Sequence, residues 1–252
     1  SHPELLDWLA VRFMQSGWDV KAMLKLMVIS ATYRQSSQFS ALDPSNRLLA
    51  RGPSFRLSAE MVRDQALAVS GLLVPKIGGP SVKPYQPPGL WEAVSYNGEE
   101  TYVPDADAGL WRRSLYTFWK RQSPPPALLT FDSPTREKCA VRRARTNTPL
   151  QSLVLLNDET YIEAARVLAT WAQSLKGSEA ERLALAFRRV TSRTPDAEEL
   201  RLLSGLLSRQ RAHFTADREA AAKLAAAGAS THGKDLNPVE LAAWTLTLHA
   251  LL

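Results

Sequence analysis

The sequence predicts a mainly α-helical fold, in which a helical bundle is interrupted by a long irregular insertion. Helix start signals and apolar residues at helical spacing recur over residues 1–72 and again over residues 148–252. Residues 73–147 between them are rich in proline, glycine and aromatic side chains and keep no helical period. We therefore expect one domain over residues 1–252 with these three parts. Because the chain begins at a helix start and stops within an apolar run, we interpret it as a fragment excised from a longer protein.

The first part is predicted to hold three helices. Each begins at a capping residue or a proline, carries an apolar stripe and stops at a turn. The predicted starts are Ser1 with Pro3, Asp19 and Ser58, and the predicted ends are Gly17, about Tyr33 and Gly71.

The insertion is predicted to be irregular because its prolines and glycines interrupt any helix. The pair Asn97-Gly98 is the one that a two-residue β-hairpin turn prefers, so a small hairpin near Val94–Tyr102 is expected. The segment Trp111–Trp119 could be a strand or a short helix, and its aromatic content favours a strand. Long ordered loops of this kind are typical of functional segments.

The last part is predicted to hold five helices, at residues 149–156, 159–174, 179–191, 195–213 and 238–252. Their start signals are Thr148 with Gln151, Ser178 with Glu181, Thr194 with Pro195, and Asn237 with Pro238. Residues 216–235 contain many alanines but few large apolar side chains. We therefore expect a frayed, solvent-exposed helix and a loop there.

Positive charge is concentrated in the insertion. Residues 111–150 contain nine Lys and Arg and two acids, a net charge of +7, whereas the whole chain carries +6. A local positive field indicates a bound anion or an acidic partner surface. An excess of +6 over 252 residues is modest beside that of dedicated nucleic-acid binders, so nucleic acid is not favoured as a partner.

The first candidate site is the arginine group Arg142, Arg143 and Arg145, followed by Asn147 and Thr148 at a predicted helix start. Guanidinium groups fork onto carboxylates, phosphates or sulfates, and a helix start adds free N–H groups. Together they would form an anion site. Alternatively, these arginines pair with acids of neighbouring helices.

The second candidate is the run WRRSLYTFWKRQSPPP at residues 111–126. Aromatic faces beside cations suit sugar rings, nucleobases or a porphyrin edge. The same pattern suits a half-buried strand whose arginines reach solvent. The candidate ligand-binding residues here are Arg112, Arg113, Tyr116, Trp119 and Arg121, and Asp132 follows them.

The sequence lacks the motifs of several common cofactor-binding and catalytic sites. The chain has one cysteine, Cys139, and no CxxCH, HExxH, GxSxG, P-loop or GxGxxG pattern, so we expect neither a cofactor nor a metal in this domain. Cys139 is interpreted as a buried or bystander cysteine and not as a nucleophile, because no histidine lies near it in sequence. The acids Glu99, Glu100, Asp105 and Asp107 indicate a solvated turn or, at most, a weak calcium site. No apolar run is long enough for a transmembrane helix.

Four runs of the sequence resemble a known family. They are Asn46–Leu73, Ile77–Glu92, Arg112–Asp158 and Asn237–Leu252. They resemble the planctomycete-type C-terminal domain of unknown function found in exported, cytochrome-c-linked multidomain proteins. The resemblance implies that any haem lies in a separate upstream cytochrome c domain, and that the protein is exported to the periplasm or cell envelope. It also implies as partners the upstream cytochrome c and other domains of the same chain, and acidic or sulfated glycans. It transfers no catalytic residues.

These observations predict a non-haem binding module that holds an anionic ligand or partner domain through its Arg-rich aromatic segment. One alternative is an enzyme acting on (sulfated) polysaccharide or in redox chemistry, with Asp132, Tyr116 or Arg145 in a cleft. Another is a purely structural scaffold. Convergence of the arginines on one cavity would favour a site, and their dispersal into separate internal contacts would favour a scaffold.

Overall fold

The chain is mainly helical and divides into two compact units. The computed structural model describes residues 2–39, 41–231 and 236–252, with the backbone alone at residue 107. Helix makes up 52% of it, in ten α-helices, and the described residues form no β-sheet, which confirms the predicted fold class. The units are Ser1–Arg56 and Leu57–Leu252. A single domain over residues 1–252 stays a prediction.

The first unit is built on two helices, α1 (Pro3–Gln15) and α2 (Val20–Ile29). Asp19 caps α2 as predicted, accepting a hydrogen bond from the backbone N–H of Ala22 at 2.9 Å. The predicted end near Tyr33 is wrong, because the helix ends at Ile29 and Ser30 is its C-cap. The hydroxyl of Ser30 donates to the carbonyl of Met27 at 2.7 Å and accepts from the backbone N–H of Tyr33 at 3.2 Å. Neither helix has a buried residue.

The second unit has a core of six packed helices. They are α3 (Ala59–Ser70), α6 (Glu159–Ser174), α7 (Glu179–Thr191), α8 (Ala197–Ala216), α9 (Arg218–Ala225) and α10 (Pro238–His249). The central helix is α10, which packs against α6, α8 and α9 and is buried around its whole circumference, since residues 241–245 are all buried. Trp244 of α10 and Leu168 of α6 lie in this core. The outer face of α6 receives α3.

Capping signals predicted most of these bounds. The helices α6 and α7 span the predicted residues, and α5 (Pro149–Asn157) is one residue longer than predicted. Both predicted bounds of α8 are wrong, because it spans Ala197–Ala216 and is capped by Asp196, whose carboxylate accepts from the backbone N–H of Glu199 at 2.8 Å. Helix α10 begins at Pro238 as predicted, but the predicted end at residue 252 is wrong, because the helix ends at His249. The expectation of an exposed, frayed helix after residue 216 is also wrong, because Ala221 and Ala225 of α9 are buried against α10.

The insertion contains one short helix, α4 (Pro126–Thr130), and three 3₁₀ helices, Glu92–Val94, Asp107–Trp111 and Ser114–Tyr116. The strand predicted at Trp111–Trp119 is therefore wrong. Only isolated bridges form there, between Val74 and Arg112 and between Val82 and Thr117.

The predicted hairpin is wrong as well. Gly98 has a positive φ of 72° but Asn97 does not, so the turn that needs two positive φ angles cannot form. Tyr102, in the segment predicted as the second strand, contacts a different part of the insertion. Its hydroxyl donates to the carbonyl of Pro84 at 2.6 Å.

Helix α3 anchors the insertion through two adjacent charged residues. The buried guanidinium of Arg63 donates to the carbonyls of Leu110 at 2.5 Å and Arg112 at 2.9 Å, and to the hydroxyl of Ser114 at 3.2 Å. The carboxylate of Asp64 accepts from the backbone N–H of Ser114 at 2.7 Å. An irregular backbone has few partners of its own, so these side chains supply them.

Candidate functional site

The Arg-rich segment forms a closed surface loop. Asp132, at φ 63°, accepts hydrogen bonds from the backbone N–H of Thr146 at 2.8 Å and from its hydroxyl at 2.9 Å. This contact joins the two ends of residues 133–145, which we call the basic loop. The loop carries five basic residues and one acid, a net charge of +4. A compact loop with joined ends is a frequent form of functional surface loop.

One side of the basic loop rests on the aromatic run before it. The indole N–H of Trp119 donates to the carbonyl of Thr135 at 3.0 Å, and the guanidinium of Arg136 lies 4.4 Å from the centre of the Trp119 ring. Arg121 is exposed, with its guanidinium 4.0 Å from the carboxylate of Glu137. Trp119, Arg121 and Asp132 are therefore candidates that the structure brings to this loop.

The three arginines of the first candidate group are all exposed. Arg143 donates to the carboxylate of Glu60 on α3 at 2.7 Å. Burial of Glu60 opposes its ionisation, but the hydrogen bond from Arg143 prevails and lowers the pKa of Glu60. Arg142 and Arg145 lie on the same exposed stretch of the loop.

The helix start beside the loop is occupied by internal contacts. Thr148 caps α5, and its backbone N–H donates to the side-chain carbonyl of Gln151 at 3.3 Å, as the capping signal predicted. The Gln151 amide also donates to the carbonyl of Thr130 at 2.9 Å, while Asn147 is exposed. The start of α5 thus helps to fix the neck of the basic loop.

Arg112 and Tyr116 lie apart from the loop and contact each other. The buried guanidinium of Arg112 donates to the carbonyls of Gly78 at 2.5 Å and Pro80 at 2.9 Å, and its central carbon lies 3.9 Å from the centre of the Tyr116 ring. The Tyr116 hydroxyl accepts from the backbone N–H of Gly78 at 2.8 Å. Arg113 is exposed. The arginines at positions 112, 113, 142, 143 and 145 therefore do not converge on one cavity.

The remaining sequence candidates have simple surroundings. Among residues 2–39, 41–231 and 236–252, no three His, Cys, Asp or Glu side chains are grouped to hold a metal ion. The carboxylate of Asp105 accepts from the backbone N–H of Lys83 at 2.9 Å, Glu100 pairs with Lys120, and the side chain of residue 107 lies outside the description. Cys139 is exposed on the basic loop.

A second site, which sequence reasoning missed, is a narrow cleft where the insertion packs on the start of α6. Its polar lining consists of Arg63, Tyr85, Thr117, Asp158, Thr160 and Tyr161. Pro84, Pro87, Pro125 and Pro126 also line it, so we call it the proline-walled cleft. It has about 30 Å³ of space for water-sized groups, enough for about two waters. Three of the runs that carry the family resemblance contribute to it.

The ionisable groups of the proline-walled cleft are perturbed by burial. Burial raises the pKa of Asp158, against the hydrogen bond from Thr160 and the positive charge of Arg63. Burial also raises the pKa of Tyr161, and the nearby Asp158 adds to this. Burial lowers the pKa of Arg63, which the Asp64 carboxylate partly offsets. The sequence places Asp158 directly before the helix predicted at residues 159–174 and close to Thr160 and Tyr161, but nothing in it indicated Arg63 or Thr117 as neighbours.

The fold and these sites define a mainly helical protein whose second unit carries an exposed basic loop and a small cleft. A family model described as PSD1, a protein of unknown function (DUF1553), matches residues 1–207. The chain belongs to this family. Searches of curated proteins and of solved structures found no match. No helix in the described parts of the chain combines the length and apolar character needed to cross a membrane.

Proposed function

We propose that the chain is a binding module that holds an anionic partner on its basic loop. The observation that carries this is the combination of a net charge of +4, exposure and a closed neck on one short segment. A closed loop presents its charges in fewer arrangements than a free segment would, so less conformational entropy is lost on binding. Exposed cations also attract an anionic surface over the screening length of the buffer.

The finer features of the proposal rest on the resemblance of the four runs. The module would belong to an exported, cytochrome-c-linked protein of planctomycete type, located in the periplasm or cell envelope. Haem would be carried by a separate upstream domain and not by this one, since this sequence has no CxxCH motif. The anionic partner would be an acidic face of the upstream cytochrome c domain or an acidic or sulfated glycan.

The test is a titration of the chain with two polyanions, heparin and polyglutamate, at low and high NaCl. A triple variant, Arg142→Ala, Arg143→Ala and Arg145→Ala, should bind about tenfold more weakly at low salt, since exposed ion pairs contribute up to about 1 kcal/mol each. The matched control is Arg201→Ala, Arg209→Ala and Arg218→Ala, which removes three exposed arginines of α8 and α9.

Three results would contradict the proposal. Equal weakening in both triple variants would mean that binding follows total charge and not the loop. Binding that does not change with salt, or that survives loss of the three loop arginines, would place the contact elsewhere. A preference for heparin over polyglutamate at equal charge would favour the sulfated glycan over an acidic protein face.

The scaffold alternative has its own support. Arg112 donates hydrogen bonds to the carbonyls of Gly78 and Pro80, and Arg143 forms an ion pair with Glu60. If the chain is a scaffold, replacing these arginines should lower its stability, and polyanion binding should not depend on the basic loop. The same titration therefore distinguishes the two functions.

A further inference from the structure

We infer that the outer face of α5, together with the basic loop that precedes it, docks an acidic amphipathic helix of a protein partner. This docking rests on the function proposed for the basic loop, and it names the anionic partner as a protein helix and not a glycan. Exposed leucines, an apolar groove and the position of the basic loop support it, and all of them belong to the second unit.

Three leucines form an exposed row on α5, which we call the leucine row. Leu150, Leu153 and Leu156 are 64%, 52% and 57% exposed, whereas Gln151 on the inner face of the helix is buried. Their spacing of three residues places them side by side, in one of the ridges by which helices pack against each other. Single exposed leucines are ordinary on a protein surface, but three on one helix face form an apolar patch that a partner can cover.

An open apolar groove continues the leucine row. It offers about 230 Å³ of space for water-sized groups, and its lining includes Leu155, Leu156 and Tyr161. Because Leu156 belongs to both, the groove and the leucine row form one surface. An amphipathic helix binds by laying its apolar side chains into a groove of this kind. A sulfated glycan would use the charges of the basic loop but has no alkyl side chain to place in the groove.

The basic loop gives this surface its charge complementarity to an acidic helix. The end of the loop is joined to the start of α5, since the side-chain amide of Gln151 donates to the hydroxyl of Thr146 at 3.1 Å. Arg145 lies five residues before Leu150, so their Cα atoms are at most about 18 Å apart. A helix of about twelve residues is also about 18 Å long, so one partner helix can contact both. Its acidic side chains would face the net charge of +4 while its apolar face covers the leucine row.

The test measures binding of the full chain to a fluorescently labelled peptide of three Leu-Glu-Ala-Leu-Leu-Glu-Gln repeats, by anisotropy at low salt. The leucines of this peptide share one helix face, and the glutamates lie beside that face. It should bind more tightly than a peptide of the same composition whose leucines are spread around the helix. The double variant Leu150→Ala and Leu153→Ala should bind the amphipathic peptide at least about tenfold more weakly, because less apolar area is buried. Its binding of polyglutamate, which has no apolar side chains, should not change.

The matched control shortens two exposed leucines elsewhere in the second unit. Leu185 of α7 and Leu202 of α8 are 44% and 54% exposed, and the double variant Leu185→Ala and Leu202→Ala should bind the peptide like the unchanged chain. All four positions are exposed and alanine favours a helix, so both double variants should unfold at the urea concentration of the unchanged chain.

The results separate failure of this docking from failure of the proposed function. Loop-dependent binding of polyglutamate, with peptide binding that ignores loss of Leu150 and Leu153, would overturn the helix docking and leave the proposed function standing. Binding of both ligands that survives loss of the three loop arginines would contradict both. Leucine-dependent binding to phosphatidylglycerol vesicles that is tighter than binding to the peptide would assign the leucine row to a lipid surface and overturn the inference. Leucine-dependent self-association in sedimentation would assign it to a second copy, with the same consequence.

Discussion

Single arginines serve two opposite purposes in this chain. Arg63, Arg112 and Arg166 are buried and donate to backbone carbonyls of irregular segments. Arg166 of α6 holds the carbonyls of Ala227 and Ser230, each at 2.8 Å. Irregular backbone leaves carbonyls unpaired, and a guanidinium can satisfy several of them at once. An arginine adds the same charge to a sequence whether it is buried or exposed. The local net charge therefore could not distinguish the buried arginines from the exposed arginines of the basic loop.

Replacing Arg63 should destabilise the second unit strongly. Arg63→Met removes the donors to Leu110, Arg112 and Ser114 while keeping the apolar stem, so the free energy of unfolding should fall by about 3 kcal/mol. Urea unfolding followed by tryptophan fluorescence measures this. Arg201→Met, at an exposed position of α8, should change it by no more than about 0.5 kcal/mol. A loss below about 1 kcal/mol for Arg63→Met would show that the insertion does not depend on this anchor.

A glycine beside the buried Glu163 gives a second prediction. Gly228 has φ 80°, and a Cβ there would lie 2.5 Å from the carboxyl carbon of Glu163. Gly228→Ala combines backbone strain with this overlap and should lower the free energy of unfolding by about 3 kcal/mol. Gly98→Ala is the control, since Gly98 has φ 72° with nothing within 4 Å of the added Cβ, and it should cost about 1 kcal/mol. Equal costs in thermal unfolding would mean that the loop after α9 yields to the added methyl group.

Elements whose hydrogen bonds are local were predictable, and elements held from a distance were not. The starts of α5 and α7 follow from capping boxes within four residues, Thr148 with Gln151 and Ser178 with Glu181. The insertion is instead held by partners far away in sequence, as Arg63 is from Leu110. The aromatic content of Trp111–Trp119 favoured a strand, but the distant partners hold this segment in a conformation that includes the 3₁₀ helix Ser114–Tyr116. The basic loop was predicted as a charged segment, but its closure through Asp132 and Thr146 was not.

Opening the neck should expose the basic loop to proteolysis. Asp132→Ala removes the acceptor for the backbone N–H and hydroxyl of Thr146, contacts of about 1.5–3 kcal/mol for a charged acceptor. Trypsin should then cleave after the loop's basic residues at least about tenfold faster under native conditions, because local opening becomes more frequent. Thr146→Val keeps the backbone N–H donor and should have a smaller effect. An unchanged cleavage rate in Asp132→Ala would show that the loop is held closed without this contact.

Across the second unit, buried ionisable groups act on stability in opposite directions. Burial raises the pKa of Asp158, while partial desolvation and the negative charge of Glu163 raise the pKa of Glu159, so protonation of either group favours the folded state and stability rises as the pH falls through their folded pKa values. Burial lowers the pKa of His249, so protonation favours the unfolded state. The Nε2 of His249 lies 2.7 Å from the carbonyl of Leu155, and since a carbonyl can only accept, Nε2 carries the proton of the neutral ring. This contact joins α10 to α5.

The contribution of His249 is therefore complete above its ordinary pKa of 6.5 and is lost as the pH falls from there towards the lower folded value. Relative to His249→Gln, whose amide can still donate to Leu155, the unchanged chain should lose free energy of unfolding over this range. One proton limits the difference to about 1.4 kcal/mol per pH unit. Subtracting the two urea profiles cancels Asp158 and Glu159, which both chains share. The control for losing a histidine is His213→Gln at an exposed position of α8, which should follow the unchanged chain. Parallel profiles for His249→Gln and the unchanged chain between pH 7 and 5 would show that α10 accommodates a charged His249, and that its burial does not couple the core to pH.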